Sequence, residues 1–330
     1  MKSPNERLDD ALSAERRLEW PAALQAYTQL RTTADRMDRC RALIGLARCL
    51  LQTRNRGEID DAADAIEEAR ALVAEIGNPE LEGQLLLQWG NVEEHRGFLQ
   101  QALERYERAV ELLPEAFGLE HVEASLALAS AERRRGELER SLKRLRELDM
   151  SHVEPRLQAD YQDELGAVLM ARGEYREAIE ALRDGLELDE AINRHHAGAR
   201  SQLLLAEALR HTGELVEARA LIDQAVSTYR KQGAAAGLSE AHAQLGLWHE
   251  DSESYVSAVR SFQESLKQDE LSDDRVGQAR AKRHMARVFR KSGDSARAHE
   301  LLEEAHDVLS REDDVEMASL WQEEAELALT

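Results

Sequence analysis

The phrase GELERS, which begins at Gly136, decides the fold because variants of it return along the chain at a nearly constant interval. The variants are GEIDDA from Gly57, GFLQQA from Gly97, GEYREA from Gly173, GELVEA from Gly213 and GDSARA from Gly293. Successive glycines lie 40, 39, 37, 40 and 80 residues apart, and ESYVSA from Glu253 falls midway through the long gap. A period of about 40 residues indicates one supersecondary unit repeated down the chain.

Each phrase is followed by a regular alternation of small and large residues. Five positions after the phrase begins stand Ala62, Ala102, Ser141, Ala178, Ala218, Ala258 and Ala298. Four positions later stand Ile66, Tyr106, Leu145, Leu182, Ile222, Phe262 and Leu302. A further set of small residues stands seven positions before six of the seven turns: Gly90, Ala129, Gly166, Ala206, Gly246 and Ala286. This spacing predicts a helical hairpin in which a small residue of the first helix receives the second helix.

The phrase glycines are predicted to end the first helix of each hairpin. Glycine adopts the left-handed C-terminal conformation without the penalty that a side chain brings. Glu253 stands at the equivalent position, and there the conformation should cost about 1 kcal/mol.

These residues resemble the tetratricopeptide repeat family, in its variety with longer helices, over nearly the whole chain. The resemblance implies an all-α fold, namely a right-handed superhelical α-solenoid of about eight helix-turn-helix repeats plus a C-terminal capping helix. We expect a single array over residues 1–330. It would have an atypical first repeat at 4–36, where Leu18 replaces the turn glycine, regular repeats at 37–312 and the capping helix at 313–330.

Composition and charge exclude several classes of function. The formal net charge is −22, which argues against general binding of nucleic acid and against docking to an anionic membrane. No stretch approaches the roughly 18 apolar residues that cross a bilayer. The start MKSPNERLDDAL has no apolar core of a signal peptide, so we expect a cytoplasmic location.

Motifs of catalysis and cofactor binding are missing from the sequence. It contains no phosphate-cradling glycine loop, no Cys-x-x-Cys pair, no HExxH helix and no nucleophile elbow. His299, Glu303 and His306 could share one helix face, as metal ligands sometimes do, but no fourth ligand accompanies them. We therefore expect no enzymatic activity, no cofactor and no metal site.

The family resemblance also implies where a partner would bind. In this family, contacts come mainly from first-helix positions thirteen, ten, six and three residues before the turn glycine. Candidates at these positions are Leu87, Asn91, Leu126, Arg133, Leu203 and Arg210. The leucines, with Ile44 equivalent in the second repeat, either anchor apolar groups of a partner segment or pack against the neighbouring first helix.

A basic segment is the sharpest anomaly in this acidic chain. Residues 275–291 hold seven basic residues and no acidic one. The members that share a helix face form the basic stripe: Arg280, Arg283, Arg287, Arg290 and Lys291. Arginine forks suit carboxylates and phosphates, so the stripe could hold an acidic partner segment. Alternatively, it neutralises residues 294–330, which carry twelve acidic and two basic residues.

The sequence favours a non-enzymatic interaction scaffold or adaptor that holds a segment of a partner protein in the concave groove. The alternative is a bacterial regulatory sensor whose repeat array changes conformation when a peptide or small ligand binds.

Overall fold

The computed structural model of the protein describes residues 4–17, 19–32, 35–51 and 56–309. Within these ranges the regular structure is entirely helical. The chain divides into two compact units, Met1–Val153 and Glu154–Thr330. Among the described residues, no helix is long and apolar enough to span a lipid bilayer.

The described part of the first unit contains eight α-helices and one short 3₁₀ helix. They are α1 (Pro4–Arg16), α2 (Trp20–Leu30), α3 (Arg36–Leu50), α4 (Arg56–Ile76), α5 (Pro79–His95), α6 (Leu99–Leu112), the 3₁₀ helix Glu115–Phe117, α7 (Leu119–Arg134) and α8 (Leu138–Glu147). Odd-numbered helices are the first helices of the hairpins, and even-numbered helices are the second helices.

The described part of the second unit contains four further hairpins. Their helices are α9 (Pro155–Arg172), α10 (Tyr175–Ala191), α11 (His195–Thr212), α12 (Leu215–Gln232), α13 (Ala235–Asp251), α14 (Tyr255–Leu271), α15 (Arg275–Lys291) and α16 (Ser295–Leu309). The predicted all-α class and the order of eight hairpins are confirmed. The capping helix at 313–330 and the turn residue Leu18 lie outside the described residues, and the single array over 1–330 stays a prediction.

Most of the phrase glycines adopt the predicted left-handed conformation. The φ angles of Gly97, Gly136, Gly173, Gly213 and Gly293 are 86°, 85°, 79°, 86° and 89°. Glu253 adopts the same conformation with φ 54°, although it carries a side chain.

The prediction for Gly57 is wrong. Helix α3 already ends at Leu50, and Gly57 lies in the first turn of α4. The connection from α3 to α4 is longer than the two or three residues that join the helices of the other phrase-bearing hairpins. A single left-handed residue at Gly57 therefore does not close this hairpin.

The small residues predicted on the two helices do bring the helices together. A Cβ added to Gly90 on α5 would lie 2.5 Å from Cε1 of Tyr106 on α6. A Cβ on Gly166 of α9 would lie 2.5 Å from Cγ of Leu182 on α10. The small residues of the second helices are buried as well: Ala62, Ala102, Ser141, Ala178, Ala218, Ala258 and Ala298. At Gly90 and Gly166 the large side chain of the second helix therefore fills a space that a larger first-helix residue would occupy.

Replacement of Gly166 by alanine should therefore destabilise the protein. We expect Gly166→Ala to lower the free energy of unfolding by about 1–3 kcal/mol, because Leu182 is fully buried and cannot move away. Gly198→Ala on α11 is the matched control, since its nearest neighbours would lie 3.6 and 3.7 Å from the new Cβ. Urea denaturation followed by circular dichroism measures both variants. Equal free energies of unfolding for Gly166→Ala and Gly198→Ala would contradict the close contact between Gly166 and Leu182.

Candidate binding surface

The first helices form a common layer within each unit. In the first unit α1 packs on α3, α3 on α5 and α5 on α7. In the second unit α9 packs on α11, α11 on α13 and α13 on α15. The second helices pack mainly on the first helices before and after them. We call the free side of each first-helix layer the inner face of its unit.

The candidate leucines lie in the core rather than on an open surface. Only 4% of Leu87, 8% of Leu126 and 1% of Leu203 is exposed. Leu87 belongs to the hydrophobic cluster around Tyr106, and Leu203 belongs to the cluster that includes Leu182. Their placement agrees with the packing alternative. Contact of these leucines with a partner stays a prediction.

Asn91 takes part in a polar network inside the first unit. Its Nδ2 donates to Oε1 of Gln88 at 3.0 Å, and its Oδ1 lies 2.8 Å from the hydroxyl of Tyr106. The same hydroxyl lies 2.7 Å from Oε2 of Glu94, and Glu94 forms an ion pair with Arg134 of α7. This network joins a second-helix tyrosine to two neighbouring first helices.

Two further candidates, Arg133 and Arg210, also have partners within their own units. Arg133 on α7 reaches Oγ of Ser130, one helical turn earlier, at 3.5 Å. Arg210 on α11 is largely buried and pairs with Asp251 at the end of α13. The pair between Arg210 and Asp251 connects two neighbouring first helices.

The basic stripe on α15 is divided between internal partners and solvent. Arg287 donates to both carboxylate oxygens of Glu250, at 2.9 and 2.7 Å, and Lys291 lies 2.7 Å from the same carboxylate. Arg280 and Arg290 are exposed. Arg283 is half-buried. The structure therefore brings Arg287 and Lys291 together on Glu250 of α13, and leaves two exposed arginines on the stripe.

One described contact joins the basic segment to the acidic C-terminal residues, but it is made by Lys282, which does not belong to the basic stripe. Lys282 donates to Oε2 of Glu304 on α16 at 2.6 Å. Arg287 and Lys291 instead pair with Glu250, which precedes them in the chain by more than 30 residues. The acidic residues beyond Leu309 lie outside the described residues.

Glu250 is a buried carboxylate that stays ionised because of these two cations. Burial by itself would raise its pKa, but the hydrogen bonds and charges of Arg287 and Lys291 outweigh burial and lower the pKa below its usual value. The fork of Arg287 thus already holds a carboxylate in bidentate geometry. The sequence did not single out Glu250 as the partner of the stripe, although it lies at an inner position of α13.

The positive charges around the stripe affect the protonation of His284, which also lies on α15. Its ring is buried and stacks on Phe262 of α14 with a centroid separation of 5.0 Å. Burial, together with the charges of the neighbouring arginines Arg287, Arg283, Arg280 and Arg210, lowers the pKa of His284 to about 2. This histidine is therefore neutral, and α15 carries no protonated imidazole at physiological pH.

His299, Glu303 and His306, which could share one helix face, are all exposed on α16. Nε2 of His299 lies 3.0 Å from Oε1 of Glu303, and both side chains are exposed. The described residues contain no group of three or more His, Cys, Asp or Glu side chains that could hold a metal ion.

Comparison with known proteins identifies the repeats. The sequence matches the tetratricopeptide repeat family at residues 87–149, 157–231 and 237–311, which together span more than half of the chain. No curated protein matches the sequence.

Several solved structures have a similar fold. A Rap protein in complex with competence and sporulation factor is 12% identical, with a TM-score of 0.71 over 98% of this chain and 97% of that one. The apo quorum sensor NprR from B. thuringiensis is 16% identical, with a TM-score of 0.69 over 93% and 87%. NprR with its cognate peptide NprX is 14% identical, with a TM-score of 0.60 over 98% and 82%. At these identities the likeness concerns the fold.

The neutral state of His284 predicts a loss of stability in mild acid. Its pKa in the folded protein lies below the value of about 6.5 in an unfolded chain, so the unfolded state binds a proton that the folded state does not. The contribution that the neutral, buried His284 makes to stability is therefore complete above about pH 6.5 and decreases as the pH falls below that value. Between pH 7 and 5 the loss should be about 2 kcal/mol.

Urea denaturation of His284→Gln measures this loss, because glutamine does not titrate. As the pH falls from 7 to 5, the free energy of unfolding of the wild type should decrease relative to that of His284→Gln. His299→Gln, at an exposed histidine, is the control and should show no such shift. A constant difference for His284→Gln would contradict the neutral, buried histidine.

Proposed function

Because the chain belongs to the tetratricopeptide repeat family, we propose that it is a non-enzymatic interaction module that holds a segment of a partner protein on an inner face. The observation that carries the proposal is the layered packing of first helices, which gives each unit a surface formed by successive repeats. A partner segment lying across several repeats would contact one or two side chains of each. Such binding requires no cofactor, and the proposal includes the cytoplasmic location expected from the sequence.

The charge on α15 supports a partner segment with an acidic end. The helix has seven basic residues and no acidic one, within a chain whose net charge is −22. Arg280 and Arg290 are exposed. On the same helix, Arg287 donates hydrogen bonds to both carboxylate oxygens of Glu250, which is the kind of contact that an acidic segment could make. Guanidinium groups bind carboxylates through paired hydrogen bonds that a neutral segment cannot form. We therefore propose an acidic peptide as the ligand class of the second unit.

Charge reversal of the two exposed arginines tests this ligand class. Arg280→Glu combined with Arg290→Glu should weaken binding of acidic peptides by about tenfold or more, because two attractive contacts become repulsive. Arg260→Glu combined with Lys267→Glu is the matched control, since both residues are exposed on the second helix α14, away from the first-helix layer, and the change in net charge is the same. The measurement is fluorescence anisotropy against a set of labelled acidic, neutral and basic peptides.

The outcomes of that measurement are distinct. Loss of acidic-peptide binding in the α15 double variant but not in the α14 double variant supports the stripe. Equal losses in both variants indicate a general effect of net charge and contradict a site on α15. Unchanged binding of acidic peptides removes the stripe from the site.

A second candidate function is a regulatory sensor of a peptide. The observation that favours it is the likeness over nearly full length to a Rap protein complexed with competence and sporulation factor and to NprR complexed with the peptide NprX. A sensor of this kind would change the arrangement of its repeats when the peptide binds.

Small-angle scattering distinguishes the sensor from a passive adaptor. If the protein is a sensor, saturation with a peptide found in the anisotropy screen should change its radius of gyration. A peptide that does not bind in the same screen serves as the control. A scattering profile that is unchanged at saturation would contradict the sensor and leave the adaptor.

A further inference from the structure

Two aspartates and one serine meet at the junction of three helices in the second unit. Asp163 lies on α9, at one of the inner positions, Asp189 lies at the end of α10, and Ser201 lies on α11. Ser201 is 0% exposed and Asp189 is 1% exposed. Asp163 is half-buried. Neither aspartate was singled out from the sequence as part of a buried pair, because they are 26 residues apart and on different helices.

The hydroxyl of Ser201 has more acceptors around it than it has protons. Its Oγ lies 2.8 Å from Oδ2 of Asp163, 3.3 Å from Oδ2 of Asp189 and 3.2 Å from the carbonyl oxygen of Ala197. A hydroxyl carries one proton and can donate to one of these acceptors at a time. With both aspartates ionised, two of the three contacts would bring oxygen lone pairs together. A second proton in the cluster satisfies one of these two contacts and removes one of the two facing negative charges.

The neighbouring cations do not neutralise Asp163. Arg194 pairs with Asp160 at 2.7 Å and with Asp189 at 3.1 Å. The charge of Arg200 on α11 acts on Asp163, but Arg200 forms no ion pair with it in the described part of the chain. Arg200 also interacts with other carboxylates, including Glu164 of α9 and Glu240 of α13.

The other carboxylate oxygen of Asp163 lies against the backbone of α10. It is buried and has no hydrogen-bond partner. A Cβ added to Gly185 would lie 3.0 Å from this Oδ1. An ionised carboxylate oxygen in such a place loses its hydration without compensation, whereas the carbonyl oxygen of a neutral carboxyl loses less.

We propose that Asp163, Ser201 and Asp189 form a proton-binding cluster that tightens the junction of α9, α10 and α11 when it is protonated. In the protonated state the Asp163 carboxyl donates to Oγ of Ser201, and Ser201 donates to Asp189 or to Ala197. On deprotonation the proton leaves to solvent, and two carboxylates then face one hydroxyl. The junction of the three helices is therefore weaker at higher pH.

The direction of the pKa shifts agrees with this geometry. Burial and the charges of Asp189 and Asp160 raise the pKa of Asp163 to about 7, against the lowering effects of Ser201 and Arg200. Burial also raises the pKa of Asp189, against the opposing charge of Arg194. The two carboxyls titrate as a pair, so the extra proton belongs to the cluster.

The sign of the pH effect follows from linkage. An aspartate in an unfolded chain has a pKa of about 3.9, so between about pH 4 and 7 the folded protein holds a proton that the unfolded chain has lost. The stabilisation from this proton is complete at low pH and is lost as the pH rises through the folded pKa. At its steepest, the equilibrium constant for folding should fall about tenfold per pH unit for this proton.

Asp163→Asn tests the cluster because the amide mimics the protonated carboxyl and does not titrate. The folding equilibrium constant of the variant relative to that of the wild type should rise about 100-fold between pH 5 and 8. Contributions from other titrating groups cancel when the two proteins are compared at each pH. Asp184→Asn, at an exposed aspartate of α10, is the matched control and should give a ratio that does not change with pH.

Two results with Asp163→Asn would overturn the proposal. One is a ratio for Asp163→Asn that stays constant between pH 5 and 8. The other is failure of Asp163→Asn to fold at pH 5, since an amide that replaces a protonated carboxyl should be accepted. In the wild type, carbon-13 NMR of the labelled aspartate carboxyls should show a group that titrates well above pH 5 and is shifted in Ser201→Ala. Titration of every aspartate near pH 4 would also contradict the cluster.

Discussion

The close fit of a large second-helix side chain against a small first-helix residue is the contact on which the structure depends. Phe262 fits against Gly246 so closely that an added Cβ would lie 2.5 Å from the ring, and Tyr106 meets Gly90 in the same way. Such contacts set the separation of the two helices and leave no room for a side chain at the glycine. Because the fit repeats every 40 residues or so, it also fixes which side of each first helix enters the core.

The opposite side of the first helices is consequently available for contacts between repeats. Several charged side chains on this side form ion pairs between neighbouring first helices. Arg210 pairs with Asp251, and Arg287 and Lys291 both pair with Glu250. Surface ion pairs contribute little individually to stability. Removal of a cation that pairs with a buried carboxylate is more costly, because it leaves a buried charge without full compensation. The inner face therefore combines internal pairs with a smaller number of exposed cations, and the exposed cations are the ones that remain for a partner.

The repeat phrase predicted the helices and their packing because both follow from local spacing. It predicted the left-handed turns at five phrase glycines and at Glu253, but not the exception at Gly57, where a longer connection separates α3 from α4. The binding surface was less predictable. The family resemblance placed Leu203 among the partner-contacting positions, yet its contacts with neighbouring helices bury it. The Asp163 cluster joins three helices, and no pattern along one helix signals it.

Hydrogen–deuterium exchange of the protein with and without a bound acidic peptide tests the central claim, that partners lie on the first-helix layer. If it is correct, the peptide should slow exchange in α11, α13 and α15 and leave the second helices α12 and α14 nearly unchanged. Slower exchange confined to α12 and α14 would place the partner on the opposite layer and contradict the account.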